Sequence, residues 1–214
     1  MRHLVSKGLI LGLVALASAP AFAAKSVTKL SFRGSSAFAS ISGYNGCGTA
    51  SFNVNASENV SRQTGSGTSE SRAVMVSVNF ANCDGSSYVG FFQLDGAGYT
   101  HSAQGVTINK TIIVDKTTFG FDEWGNPTWV PTGEQATVSI SVNLVPTGDY
   151  FKGDTNNTQS STNVFIKNRS RGTIYEVDAT LAASIDGVPV SFGFGFPYGQ
   201  MSDTQFGQLT IITQ

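Results

Sequence analysis

The residues best suited to catalytic chemistry are two acidic side chains, Glu176 and Asp178, in the segment YEVDATL. Apolar and polar residues alternate around them, which predicts a β-strand. Side chains two residues apart on a strand point to the same side of the sheet, about 7 Å from one another. Two carboxyl groups at about this separation are the catalytic pair of many glycoside hydrolases.

The order Glu176-Val177-Asp178 resembles the first half of the Glu-x-Asp-x-(x)-Glu strand motif of retaining glucanases with a jelly-roll fold. The resemblance implies a jelly-roll fold and an active site for glycan cleavage. In that family the third carboxylate is the acid/base catalyst, whereas Thr180 or Leu181 holds its position here. Because the leaving group needs a proton donor, we expect a protein that is not an enzyme. Glycan cleavage by Glu176 and Asp178 is kept as the second alternative.

Other catalytic and metal-binding arrangements have few residues to draw on. His101 is the one histidine beyond the N-terminal segment, and no G-x-S-x-G turn accompanies it. Asp149, Asp154 and Asn156 are calcium candidates because they offer oxygen ligands, although D-x-D-x-D spacing is absent. We expect no resident metal or cofactor.

The segment FDEWGNPTWVP contains both tryptophans of the chain, Trp124 and Trp129. A four-residue turn at 125–128 would place the two indoles opposite one another. Such a pair stabilises a hairpin by about 0.5–1.5 kcal/mol beyond burial, and it could equally stack on a sugar ring. Both interpretations stay open. The polar candidates for a sugar site beside the tryptophans are Asp122, Glu123 and Asn126.

Residues 1–23 are typical of a secretory signal peptide of bacterial style. Arg2 and Lys7 precede the apolar run GLILGLVALASA, and AFA ends at the expected cleavage point, Ala23. The run is shorter than the ~20 residues that a membrane span needs, and no later run replaces it. We therefore expect a secreted or periplasmic mature chain, residues 24–214, without a membrane span.

The mature chain is poor in charge and is not basic. Without Arg2 and Lys7, 11 Lys and Arg remain against 14 Asp and Glu, a formal net charge of −3. Nucleic-acid-binding domains usually carry a clear excess of positive charge. The composition therefore argues against nucleic acid as a partner.

Two cysteines, Cys47 and Cys83, lie in the part of the chain predicted to be exported. An even number of cysteines in an oxidising compartment predicts a disulfide. In the chain-entropy model, closing this loop stabilises the fold by ~4 kcal/mol.

Strict alternation of apolar and polar residues predicts an all-β fold. We expect about ten to twelve antiparallel strands in one domain, arranged as a β-sandwich or jelly roll. Polar residues 62–72 and 147–163 are predicted to be long loops. The clearest alternating segments are 49–56, 73–80, 136–144, 175–185 and 188–196.

These features favour a non-enzymatic protein that acts at the cell exterior by surface assembly or adhesion. A carbohydrate-binding module using Trp124 and Trp129 is the first alternative. The partner would be a glycan, or a second copy joined through a sheet edge. In FGFGFPYG, Gly193 and Gly195 leave one side of the chain bare, which predicts close approach of another backbone.

Overall fold

A computed structural model describes residues 26–44, 46 and 48–213. The predicted signal peptide, residues 1–23, and Cys47 lie outside the described residues. The described part consists of β-strands and connecting turns, and within it there is no helix that could cross a membrane.

Ten strands form one antiparallel sheet in the order β10-β1-β2-β3-β4-β6-β7-β8-β9, with β5 paired to β6. Since β10 pairs with both β1 and β8, the sheet closes on itself. The prediction of an all-β, antiparallel fold is confirmed. The strands are β1 Ser26–Tyr44, β2 Thr49–Gln63, β3 Thr68–Ala81, β4 Ser86–Asp95, β5 Tyr99–Ser102, β6 Gly105–Phe121, β7 Pro127–Ser160, β8 Val164–Ile185, β9 Val188–Pro189 and β10 Tyr198–Thr213.

The core fills the interior of this closed sheet with alternate residues of each strand. In β2, for example, Phe52 and Val54 are fully buried while Asn53 and Asn55 are exposed. Phe192 packs into the same core, with its ring centroid 5.7 Å from that of Phe52. Burying each side chain of this size contributes about 1.5–3 kcal/mol, so the alternating pattern is the main source of stability.

Pairing around the sheet is weakest between β4 and β6. Only three residue pairs join them, 86–88 with 116–118. Further along, Lys110 points into the gap, where its Nζ donates hydrogen bonds to the backbone oxygen of Asp95 at 2.8 Å and to its Oδ1 at 3.0 Å. This buried lysine interrupts the apolar run of β6 because it bridges two strands that do not pair there.

The prediction of long loops at residues 62–72 and 147–163 is wrong. Residues 62–72 form a tight hairpin, in which β2 runs to Gln63 and β3 starts at Thr68. Residues 147–160 belong to β7, and residues 150–160 pair with β8 after an irregularity between Pro146 and Tyr150. These strand segments extend beyond the core, where both sheet faces contact solvent. A strand there needs no apolar face, so its polar sequence is indistinguishable from that of a loop.

The alternating segment 188–196 is a strand only at Val188–Pro189, and its Phe-Gly part then runs across the end of β1. A Cβ on Gly195 would lie 2.6 Å from the backbone oxygen of Ser42, and one on Gly43 would lie 1.8 Å from that of Phe192. The close approach predicted from the glycines is thus made by β1 of the same chain.

Candidate functional site

The end of the closed sheet where β1 finishes exposes many large aromatic side chains. Antiparallel pairing brings the β6–β7 hairpin and the segment before β10 to this same end. Trp124 is 78% exposed and Phe194 is 96% exposed. Exposed apolar patches mark interaction sites. We call this surface the aromatic end, and its members are Tyr44, Phe119, Phe121, Trp124, Trp129, Phe194, Phe196 and Tyr198.

The two tryptophans do not face one another as a 125–128 turn would require. Trp129 pairs across the hairpin with Phe119, because the turn spans residues 122–126 and Phe121 pairs with Pro127. The Phe119 ring lies 5.9 Å from Trp129 and 6.2 Å from Phe121, both edge-on. Three aromatic rings therefore share one face of the hairpin, and Trp124 lies in its turn.

Asp122 organises this turn. Its carboxylate accepts hydrogen bonds from the backbone nitrogens of Trp124 at 3.0 Å and Asn126 at 2.8 Å. The Asn126 side chain also donates to it, at 3.1 Å. The hydrogen bonds from Asn126, and then the one from Trp124, lower the pKa of Asp122 below its usual 3.8. Asp122 and Asn126 thus bind one another, and Glu123 is the predicted polar residue whose side chain is left for a ligand.

Glu176 and Asp178 both lie exposed on the outer side of β8, as predicted. On the neighbouring strand β7, Val145 stands directly opposite Asp178. The next position on the same face of β8 is Thr180, whose partner on β7 is Asn143. No third carboxylate occupies these positions, so the described sheet offers the pair no acid/base partner there.

The calcium candidates lie along the second half of β7. Asp154 forms an ion pair with Arg171, at 2.9 Å between the carboxylate oxygen and Nε. Asp149 is five residues away on the strand, roughly 16 Å at the usual rise per residue, and Asn156 lies beyond Asp154. Within the described residues, no three His, Cys, Asp or Glu side chains are grouped so that they could hold a metal ion.

A polar cluster at the other end of the core was not found from the sequence. His101 lies in β5 with its side chain only 8% exposed, and its Nε2 is 2.7 Å from Asp203 Oδ1. The contact is at ion-pair distance but makes no aligned hydrogen bond. Tyr175 donates a hydrogen bond to the other oxygen of Asp203 at 3.2 Å. The Tyr99 hydroxyl lies 3.4 Å from both His101 Nδ1 and Ser35 Oγ.

This cluster closes the core instead of forming a catalytic triad. Ser35 reaches His101 only through the Tyr99 hydroxyl, so His101 is not placed to activate that serine. Burial raises the pKa of Tyr99 and of Tyr175, and the nearby Asp203 raises that of Tyr175 further. Both phenols therefore stay protonated at neutral pH. The residues come from four strands distant in sequence, and only the fold brings them together.

Comparison with known proteins gives no relative from which to transfer a function. No protein-family model, curated protein or solved structure matches the chain significantly. Functional inference rests on the geometry of this chain alone.

Proposed function

We propose that this chain is an exported, non-enzymatic adhesion protein that binds a cell-surface partner through its aromatic end. The observation that carries the proposal is the gathering of eight exposed aromatic residues at one end of the closed sheet. Burying one such ring is worth about 1.5–3 kcal/mol. A partner that covers several of them therefore gains substantial binding energy.

A two-layer sandwich would present this surface rigidly. Strands β10, β1, β2, β3 and β4 pair through long registers, and so do β6, β7 and β8. Two joins connect the groups: the three pairs between β4 and β6, and the longer pairing of β8 with β10. We interpret the groups as the two layers of a sandwich that face one another across the core.

The proposal includes the Cys47–Cys83 disulfide. Cys83 lies in the turn between β3 and β4, and a Cβ built on Gly48 would be 2.9 Å from the Cβ of Ala81. The residue after Cys47 thus lies close to the strand that leads into Cys83. A disulfide here would stabilise the aromatic end, because the β1–β2 and β3–β4 connections that hold the two cysteines are both at that end.

A glycan is the first candidate for the partner. The shared face of Phe119, Phe121 and Trp129 offers flat rings on which sugars stack, and Trp124 is exposed in the turn of the same hairpin. Glu123 is available for hydrogen bonds to hydroxyl groups. This arrangement differs from the opposed tryptophan pair but serves the same chemistry.

Assembly through a sheet edge is a second candidate mode. Residues 150–160 of β7 pair with β8 on one side, and β6 pairs with β7 only up to Leu144. An edge of this length is able to add a strand from another copy. Concentration-dependent sedimentation of the mature protein tests this mode, and a monomer at all concentrations would exclude it.

Adsorption to cell envelopes and insoluble polysaccharides tests the adhesion proposal. Phe121 is 67% exposed at the aromatic end, and Phe151 is 68% exposed at the opposite end. We expect Phe121→Ala to weaken adsorption about tenfold, which corresponds to 1.4 kcal/mol, and Phe151→Ala to leave it unchanged. Equal effects of the two substitutions would refute a specific role of the aromatic end.

A further inference from the structure

The end opposite the aromatic end gathers positive charge on one side of the sheet. Strands β7, β8, β10, β1, β2 and β3 continue there beyond the core. Their cationic side chains lie on the same face as the core residues. Arg62 comes six residues after the buried Ala56 in β2, and Arg171 comes two residues before the buried Thr173 in β8. The cations of this face are Lys29, Arg33, Arg62, Arg72, Lys152, Lys167, Arg169 and Arg171.

Three of these cations already have partners within the protein. Arg72 lies 3.5 Å from Glu58, Arg171 lies 2.9 Å from Asp154, and Lys152 stacks over the Tyr150 ring at 5.0 Å. In the described part of the chain, the other five have no carboxylate within 4.0 Å. We call these five the basic wall: Lys29, Arg33, Arg62, Lys167 and Arg169.

Four of the five cations of the basic wall form two rows across the strands. The fifth, Arg33, pairs with Val60 and lies two residues from Ser31 on the same face of β1. In one row, Thr210 separates Lys29 from Lys167. With strands 4.7–4.9 Å apart, the two lysines attach to backbones about 10 Å apart. In the other row, Ser31 and Gln208 lie between Arg62 and Arg169, whose backbones are about 14 Å apart by the same spacing.

The rows border a cavity. It has a volume of about 460 Å³ and is lined by Lys29, Arg62, Gln208 and residues 63–67 of the β2–β3 turn, among others. The lining combines cations with hydroxyl and amide groups. Glu70 of β3 lies on the same face, opposite Val60, and makes no ion pair within the described residues.

We propose that the basic wall binds an acidic polysaccharide. The chain as a whole is slightly acidic, with a formal net charge of −1, yet among the described residues this face holds five unpaired cations against the one unpaired carboxylate of Glu70. The excess cations repel one another without a counter-charge. An extended polymer with repeated carboxylate or sulfate groups supplies that charge along both rows. The hydroxyl and amide groups between the cations are suited to hydrogen bonds with sugar hydroxyls.

A nucleic acid fits this face less well than a polysaccharide. A long duplex carries one charge per ~1.7 Å of its axis, and it would extend past the basic wall onto a surface that is acidic on balance. The cations within each row are about 10 or 14 Å apart, which suits a sparser polyanion. The site is also distinct from the aromatic end, so the inference does not rest on the adhesion proposal.

Titration of the mature protein with alginate, with neutral dextran as the reference polymer, tests the inference. We expect saturable binding of alginate at 50 mM NaCl, none of dextran, and loss of binding at 1 M NaCl, where charges are screened within about 3 Å. Binding of dextran as tight as that of alginate would overturn the assignment. So would duplex DNA that binds more tightly than alginate, since the partner class would then be nucleic acid.

Charge-matched variants separate the basic wall from net charge. We expect Arg62→Gln and Arg169→Gln each to weaken alginate binding about fivefold or more, and the two together more strongly. Lys116→Gln removes the same charge at the aromatic end, where Lys116 pairs with Glu134 at 3.1 Å, and we expect it to change binding less than twofold. Equal losses in Lys116→Gln and Arg62→Gln would refute a specific site. Unchanged melting temperatures would show that the variants are folded.

Discussion

Some aromatic residues at or beside the aromatic end are buried and stabilise the fold, whereas others are exposed and available to a binding partner. Phe192 and Phe194 are two positions apart, yet the first is buried against Phe52 and Phe80 while the second is almost fully exposed. The sequence predicted that both share one face of a strand. The chain leaves the sheet after Pro189, so alternation no longer applies to them.

The contrast between these two phenylalanines is testable by urea denaturation. We expect Phe192→Ala to lower the free energy of unfolding by about 3–5 kcal/mol, because it leaves a cavity in the core. Phe194→Ala should stay within about 0.5 kcal/mol of the parent, as exposed substitutions do. Similar losses for both variants would show that Phe194 is buried.

Asp122 gives the turn of the β6–β7 hairpin a pH dependence. Because its pKa is lowered in the folded chain, its contribution to stability is complete above the usual value of 3.8 and is lost as the pH falls through the lowered value. We expect tryptophan emission to change in this acidic range in the parent protein. In Asp122→Ala the change should be absent, and the emission at pH 7 should resemble that of the parent at low pH. An identical acid transition in both proteins would contradict the role of Asp122.

At the scale of elements, the apolar pattern predicted the strands around the core and failed outside it. Apolar and polar residues alternate in segments such as 136–144 because one face of the strand is buried in the core. The second half of β7 has the same backbone structure but polar residues on both faces, since it only pairs with β8 beyond the core. Long-range hydrogen bonding, which leaves no local pattern, decides its conformation.

Two glycines test the packing of the Phe-Gly segment against β1. Gly43→Ala would place a Cβ 1.8 Å from the Phe192 carbonyl oxygen, so we expect a loss of several degrees in melting temperature. Gly153→Ala is the matched control in β7, because its Cβ would meet only the Phe151 ring at 3.7 Å. Ala there should be neutral or slightly stabilising. A Gly43→Ala variant as stable as the parent would mean that the segment packs elsewhere.

At the scale of the whole molecule, closure of the sheet creates two different ends. One exposes aromatic rings, and the other carries the basic wall above the cluster around His101 and Asp203. Neither end was visible in the sequence, because their residues come from strands that are distant along the chain. The aromatic residues near Trp124 were the exception, since that hairpin is local.

The disulfide prediction also belongs to this scale. We expect reduction to lower the free energy of unfolding by ~4 kcal/mol, because a cross-link restricts the unfolded chain. Cys47→Ser should lower it equally, and reduction should then have no further effect. Equal stability of the oxidised and reduced parent would refute the bridge.

Tryptophan fluorescence of the mature protein, titrated with cell-envelope polysaccharides, tests the adhesion proposal most directly. Trp124 is 78% and Trp129 is 47% exposed, so the free protein should emit as solvated indole and be quenched readily by acrylamide. Adding the partner should shift the emission to the blue and protect it from the quencher, and Phe121→Ala should weaken this response. Emission that is already blue and resistant to quenching in the free protein would contradict an exposed aromatic end. Unchanged emission while the protein is bound to its partner would show that another surface makes the contact.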